Sequence, residues 1–197
     1  GTYQLVPRSS EDIVANVPPP VLETITIAQA REQKSGTAQI KGVVTAVIGQ
    51  TVHIQDDTAG IVLYGTLPFT PTVGQQVEVS GNIIEYRNLL EMDSIKLVND
   101  GGMTTVPAPK VVDALDESLE GQLVEIQNVV VGEGSSGNFN AMIGDKAVVV
   151  RDSTQAGIAA NKTYDRIIGV VQQYNDAYQV MPRSRADVIE DASVVQQ

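Results

Sequence analysis

Three short β-type phrases occur twice in this chain at an almost fixed spacing. Ile40-Lys-Gly-Val-Val-Thr45 is answered by Ile126-Gln-Asn-Val-Val-Val131, 86 residues on. Gly60-Ile-Val-Leu-Tyr64 is answered by Ala147-Val-Val-Val-Arg151 at 87 residues, and Gly81-Asn-Ile-Ile-Glu-Tyr-Arg-Asn88 by Gly169-Val-Val-Gln-Gln-Tyr-Asn-Asp176 at 88. So constant an offset points to a duplicated unit, not to chance likeness between strands. Each copy must close a core within one repeat length, near the lower size limit for an independent domain.

The pattern inside each copy is β-branched and often alternating, as in Ala38–Val47, Thr51–Gln55, Gly60–Tyr64 and Gln76–Ser80, with Gly, Asp and Asn at the borders. That predicts short, half-buried strands. A short helix is expected over Thr26–Gln33, capped by Thr26 and with Ile27 and Ala30 on one side. A second short turn is expected near Val111–Leu119. Gly42, Gly81 and Gly169 fall inside strand patterns, where glycine marks a bulge or a tight barrel corner. The whole fits an all-β chain of two tandem OB-fold-like five-stranded Greek-key barrels, each with a short helix.

Boundaries follow from the punctuation. Val17-Pro-Pro-Pro20 is a stiff, extended spacer, and Asn99-Asp-Gly-Gly102 followed by Val106-Pro-Ala-Pro109 separates the copies. The expected organisation is the tail of a preceding repeat plus a Pro-rich linker over 1–20, a first barrel over 21–98, a linker over 99–110, a second barrel over 111–190 and a C-terminal tail over 191–197. The preceding repeat is read from Tyr3–Val14 (YQLVPRSSEDIV), which matches Tyr178–Ile189 (YQVMPRSRADVI) 175 residues later. Leu5–Arg8 also matches a thrombin-type cleavage tag. Such a tag continues with Gly-Ser, whereas Ser9 and Ser10 follow here, and it has no reason to carry Glu11-Asp12-Ile13 in register. The chain therefore reads as a slice of a longer modular protein.

Composition removes several chemistries. There is no cysteine, which excludes thiol catalysis, disulfides and thiolate metal sites. A single histidine, His53, rules out a multi-His metal centre within one chain. No P-loop, dinucleotide fingerprint, GxSxG or HExxH is present. No metal or cofactor is expected. No apolar run reaches the ~18–20 residues that span a bilayer. The formal net charge of −11 opposes generic attraction to phosphate backbones, so any nucleic-acid contact must sit in a local groove.

Five stretches carry a family resemblance. They are KGVVTAV at Lys41–Val47, HIQDDTAGIVLYG at His53–Gly65, VGQQVEVSGNIIEYRNLLEM at Val73–Met92, LEGQLVEIQNVVV at Leu119–Val131 and RIIGVVQQYNDAYQVMPRSRADV at Arg166–Val188. Together they resemble the OB-fold domains of the secreted Bacillus sugar-non-specific endonuclease family, over nearly all the chain after Val21. Modules of that kind accompany metallophosphatase, nucleotidase or nuclease catalytic domains in large exported proteins. The resemblance is specific for the module and much less so for function, since such repeats recur beside different catalytic domains.

In OB-folds that bind single strands, aromatic rings stack on bases and a basic groove tracks the phosphates. The first unit offers Lys41, His53, Gln55, Tyr64, Tyr86 and Arg87 for this, with His53 and Gln55 on one face of a strand by alternation. The second unit offers Arg151, Tyr164, Arg166, Tyr174, Tyr178, Arg183 and Arg185. The structural counter-readings are that His53 faces solvent, that Tyr64 packs at a barrel end and that the Pro-Arg-Ser turn closes each barrel with Arg bonding strand carbonyls. Asp56-Asp57 reads as a hairpin turn in preference to a calcium site. Asp113, Asp116, Glu117 and Glu120 read as a solvated connector.

The expected function is a non-catalytic substrate-binding module of an exported bacterial nuclease or nucleotidase, extracellular or wall-associated. It would hold single-stranded nucleic acid for catalytic domains of the same parent chain, with no membrane insertion. The alternatives are a structural spacer without ligand, or carbohydrate or protein binding on the barrel face.

Overall fold

The computed structural model describes residues 1–4, 6, 8, 9 and 22–191. Most of the first copy of the Tyr3–Val14 repeat thus lies outside the described residues. The first unit opens with β1 (Thr24–Ile25) and helix α1 (Ile27–Gln33), followed by β2 (Gly36–Ile48), β3 (Thr51–Gln55), β4 (Gly60–Tyr64), β5 (Gln75–Tyr86) and β6 (Leu89–Met103). β2, β3 and β4 form an antiparallel meander. β4 then pairs in parallel with β6, β6 antiparallel with β5, and β5 returns to β2, which closes the barrel. Counted within the barrel, the strand order is 1-2-3-5-4-1, with the third and fifth strands parallel.

The second unit repeats this. It comprises β7 (Lys110–Val112), β8 (Leu123–Ser135), β9 (Asn138–Ile143), β10 (Lys146–Arg151), β11 (Lys162–Tyr174), β12 (Ala177–Met181) and β13 (Val188–Glu190). β10 and β12 are its parallel pair, and β11 closes on β8. Register is repeated along with topology. Asn82 faces Asp93 and Ile83 faces Met92 in the first barrel; Val170 faces Met181 and Val171 faces Val180 in the second. Each of these positions is displaced by 88 residues. Gly81 and Gly169 have one cause. A Cβ on Gly81 would lie 2.6 Å from the Asp93 carbonyl oxygen, and one on Gly169 2.6 Å from that of Met181. Only glycine lets the fourth strand cross the fifth so closely.

The cores are aliphatic. Ile40, Ile54, Ile61, Val79 and Met92 fill the first barrel, and Ile126, Val150, Ile167 and Val180 fill the second with Tyr164. Thr26 caps α1 as expected: its side chain accepts from the Gln29 N–H, and Gln29 reaches back to the Thr26 N–H in a capping box. Asp56 ties that helix to the β3–β4 turn. Its Oδ2 accepts from the Ile27 N–H at 2.8 Å, while Oδ1 accepts from the N–H groups of Thr58 and Ala59. Partial burial opposes the Asp56 charge, but these donors prevail and hold its carboxyl below the usual range. In the second unit the short turn expected near Val111–Leu119 is a 3-10 turn, Glu117–Leu119, and stands in place of the short helix expected of each barrel. Asp116 captures the Ser118 N–H and so starts the turn late, and Gly121, at φ 80°, ends it. β6 runs to Met103 through residues read as the start of a linker, because Asn99 and Asp100 still pair with Glu78 and Val77.

The barrels pack on one another. Ala46 and Ile48 of β2 meet Leu123, Val170 and Met181, with Val106 and Ile168 at the margin. Burying such side chains contributes about 1.5–3 kcal/mol each for the larger ones. Beside them the backbones touch: a Cβ on Gly60 would lie 2.3 Å from the Gly121 carbonyl carbon. The contact uses different surfaces of the two copies. The strand pairings place Thr37, Ser80, Asn82 and Asp93 of the first barrel where the second has Leu123, Ile168, Val170 and Met181. Conversely, strand register past the bulge in each copy matches Ile48 to Ser135 and so Ala46 to Glu133.

Candidate nucleic-acid interface

A groove of about 620 Å³ runs across the junction of the two barrels. The first barrel lines it with Tyr64, at the end of β4, and with Tyr86, Leu89 and Glu91 around the β5–β6 hairpin. The second lines it with the outer sides of β9 and β10, including Arg151, and with the β11–β12 hairpin bearing Gln172, Gln173 and Tyr174. These are the second and third strands and the loop between the fourth and fifth strands, the surface that OB-folds offer to ligands. Tyr64 is 43% exposed, Tyr86 56% and Tyr174 51%, high values for large rings in so small a protein.

The two hairpins that carry Tyr86 and Tyr174 are register equivalents, and their tips touch. The Asn175 N–H donates to the Arg87 carbonyl at 2.7 Å, and Asn88 Nδ2 donates to the Asn175 carbonyl at 3.1 Å. Arg87 bridges the rings: its guanidinium carbon lies 4.9 Å from the Tyr174 ring centre and 5.5 Å from that of Tyr86, and its Nε donates to the Tyr86 hydroxyl at 3.0 Å. Cation–π contact of this kind holds both rings in place while leaving their outer faces open. Arg151 is aimed by its partner: NH1 donates to Asn138 Oδ1 at 2.8 Å, across the β9–β10 pair. At the groove floor Glu91 is only 4% exposed; burial, then the nearby Asp93 charge, pushes its carboxyl up.

Of the thirteen residues singled out from sequence, Tyr64, Tyr86, Tyr174 and Arg151 line this groove and Arg87 braces it. The others lie elsewhere. His53 does not sit on an open face: it has no exposed surface and is enclosed between the barrels, where burial lowers its pKa to about 4 despite the Gly121 backbone beside it. Gln55 is spent on the same contact, its Oε1 accepting from the Leu123 N–H at 2.9 Å. Tyr164 is a core residue, its hydroxyl accepting from the Ala159 N–H at 2.8 Å. Tyr178 gives its hydroxyl proton to Glu117 Oε2 at 3.2 Å; burial and that acidic neighbourhood push its pKa up to about 12. Lys41 borders a separate small hollow with Asp56 and Asp57. Arg166 faces Glu125 at 3.9 Å.

The Pro-Arg-Ser turn is wired into the protein. Arg183 makes a two-pronged contact with Asp187 at 2.9 and 2.7 Å, and its NH1 donates to the Thr45 carbonyl of the other barrel at 3.2 Å. Arg185 donates to the Val188 carbonyl and to Glu190. Glu120, read as part of a solvated connector, is wholly buried at the junction. Its Oε1 accepts from Arg31 NH1 at 2.9 Å and from the Leu90 N–H at 3.1 Å, while Oε2 has no partner. Burial outweighs those donors and raises its pKa to about 7. Among the described residues no cluster of three or more histidine, cysteine or acidic side chains is placed to hold a metal, and no helix is long and apolar enough to cross a membrane.

Two barrels of this strand order, with aromatic rings and guanidinium groups gathered where they meet, define a tandem OB-fold-like module. No model of a known protein family matches the chain. The chain is 30% identical, over 198 residues, to Endonuclease YhcR of Bacillus subtilis (strain 168). The alignment takes in 86% of this chain but only 16% of that protein's length. Among solved structures, a multidomain protein with nucleic acid binding domains from Streptococcus pneumoniae TIGR4 aligns at 14% identity and a TM-score of 0.25, covering 76% of this chain and 46% of that one. The likeness to Bacillus endonuclease modules read from the five stretches is thus matched by a named relative.

Proposed function

We propose that the tandem barrels form a non-catalytic module of an exported nuclease and hold single-stranded nucleic acid in the junction groove for a catalytic domain elsewhere in the parent protein. The observation that carries this reading is the convergence of Tyr64, Tyr86 and Tyr174 on one groove flanked by Arg87 and Arg151. Rings with free faces stack on bases whatever their sequence, and the guanidinium groups pair with the intervening phosphates. The relation to a protein named as an endonuclease supports the choice of ligand. A duplex keeps its bases stacked inside and offers these rings nothing.

The net charge of −11 sets the form of the binding. With two guanidinium groups near the strand, the slope of log K against log salt is expected to be about −1.4, shallow for a nucleic-acid binder. The test is fluorescence anisotropy of a labelled single strand at low and physiological salt, with duplex as control. Saturable binding of the single strand with that shallow slope supports the reading, and absence of binding at low salt rejects it. The same groove, aromatic and rich in side-chain amides, also suits a neutral oligosaccharide. Salt-independent displacement of the labelled strand by a glycan would favour that second reading.

A further inference from the structure

We infer that His53 makes Gln172 a fixed hydrogen-bond acceptor in the groove, so that the module favours single strands whose bases carry an exocyclic amino group, cytosine above thymine. The inference rests on the proposed single-strand reading and adds base selectivity to it.

Gln172 lines the groove from β11, and its Nε2 lies 2.9 Å from Nε2 of His53. An amide nitrogen only donates, so the imidazole Nε2 must accept, and the ring proton must sit on Nδ1. The reverse arrangement would turn the amide, with Nε2–H of His53 donating to Oε1 of Gln172. That would leave Nδ1 as a bare acceptor beside the Gly121 backbone. The Gly121 N–H is already given to the Val171 carbonyl at 2.8 Å, so the group that Gly121 has left is its carbonyl. Two acceptors facing each other in a buried interface are costly. With the proton on Nδ1 the same pair is attractive, although Nδ1 stops short of full hydrogen-bond geometry. Burial of the ring, with its pKa lowered to about 4, keeps Nε2 an acceptor throughout the neutral range.

Gln172 therefore cannot turn its amide to suit the ligand. One N–H of its NH₂ is given to His53 inside the interface, so the amide cannot flip and Oε1 stays its acceptor. A surface glutamine is indifferent between donor and acceptor; this one is not. At the corresponding ring position cytosine offers an amino group and thymine a carbonyl oxygen, which a fixed acceptor repels. Both are pyrimidines of similar stacking area, so their comparison isolates the edge from the ring.

The experiment measures anisotropy of labelled oligodeoxycytidine and oligothymidine of equal length on the native chain, on Gln172→Leu and on His53→Phe. One neutral hydrogen bond gained or lost predicts cytidine binding about fivefold tighter on the native chain. Gln172→Leu should bring the two affinities together without abolishing binding. His53→Phe keeps a ring in the interface but frees the amide, and should shrink the preference by improving thymidine binding. A merely structural His53 would weaken both oligomers alike. Equal affinity of the native chain for both oligomers overturns the inference and leaves the single-strand reading standing. Failure to bind either oligomer overturns both. Should His53→Phe not fold, the native chain and Gln172→Leu still decide the matter.

Discussion

Tyr174 is the residue on which the groove turns. Arg87 stacks on one of its faces and the Asn175 backbone beside it locks the two hairpin tips together. Tyr174→Ala is expected to weaken single-strand binding about tenfold with little effect on stability, since the ring is half exposed and stacking on one base is worth roughly 1–3 kcal/mol. Anisotropy beside a urea melt separates the two effects; a loss of stability with unchanged affinity would remove Tyr174 from the site. Gly60 is the opposite case, lining no part of the groove yet decisive for packing. Gly60→Ala places a methyl group 2.3 Å from the Gly121 carbonyl carbon, where neither backbone can yield. The expected outcome is two folded barrels that no longer touch, seen as a larger radius of gyration in small-angle scattering with unchanged far-UV circular dichroism. An unchanged radius would mean that the junction tolerates the methyl group. Tyr64, Tyr86, Tyr174 and Arg151 were legible in the sequence as residue types suited to the task. Their convergence was not, because it depends on two barrels meeting. Tyr164 and Arg183 carried the same chemical promise and are spent in a core and in a turn.

At the scale of elements, what local chemistry dictates was readable. The helix begins at Thr26 because a hydroxyl there satisfies the Gln29 N–H, and Thr26→Ala is expected to cost about 1 kcal/mol. A fall in urea midpoint measures it, and Thr26→Ser should restore most of the loss. The repeated phrases mapped onto repeated strands because each strand's alternation fixes its own inward face. Two places escaped. The second unit's helix shrank to one turn, since Asp116 captures the chain three residues after the point where Thr26 does so in the first unit. β6 outran its expected end because a Gly-rich segment, usually a breaker, was still paired along β5.

For the molecule as a whole, the junction places two titratable groups out of water with opposite consequences. Glu120 rises from 4.5 to about 7, so its folded form gains stability as pH falls from 7 toward 4.5. His53 drops from 6.5 to about 4, so its contribution is complete above pH 6.5 and is lost as pH falls toward 4. The displacements act in opposite directions over an overlapping range, so they offset. Native stability is expected to change little between pH 6.5 and 4.5, and to fall below pH 4.5, where Glu120 no longer offsets His53 and the unfolded chain protonates at Asp56 before the folded one does. Glu120→Gln removes one side of the balance. Its urea midpoint should decline steadily from pH 6.5 to 4.5 while that of the native chain changes little; two parallel profiles would show that the pair does not titrate in this way. None of this was visible one strand at a time, where His53 and Glu120 look like ordinary surface residues. A signal did exist in the comparison of the copies. Leu123, Ile168, Val170 and Met181 are apolar where their counterparts Thr37, Ser80, Asn82 and Asp93 are polar, and that difference marks the side of the second barrel that is covered.

The same four exchanges, with Glu133 and Ser135 standing in for Ala46 and Ile48, give the pair two ends that do not stick. A stack of like units grows when every unit presents both halves of the joint. Here one copy holds only the socket and the other only the plug. The duplication therefore gives a couple whose joint is used up between its two members, since neither outer face repeats the apolar half that the joint needs.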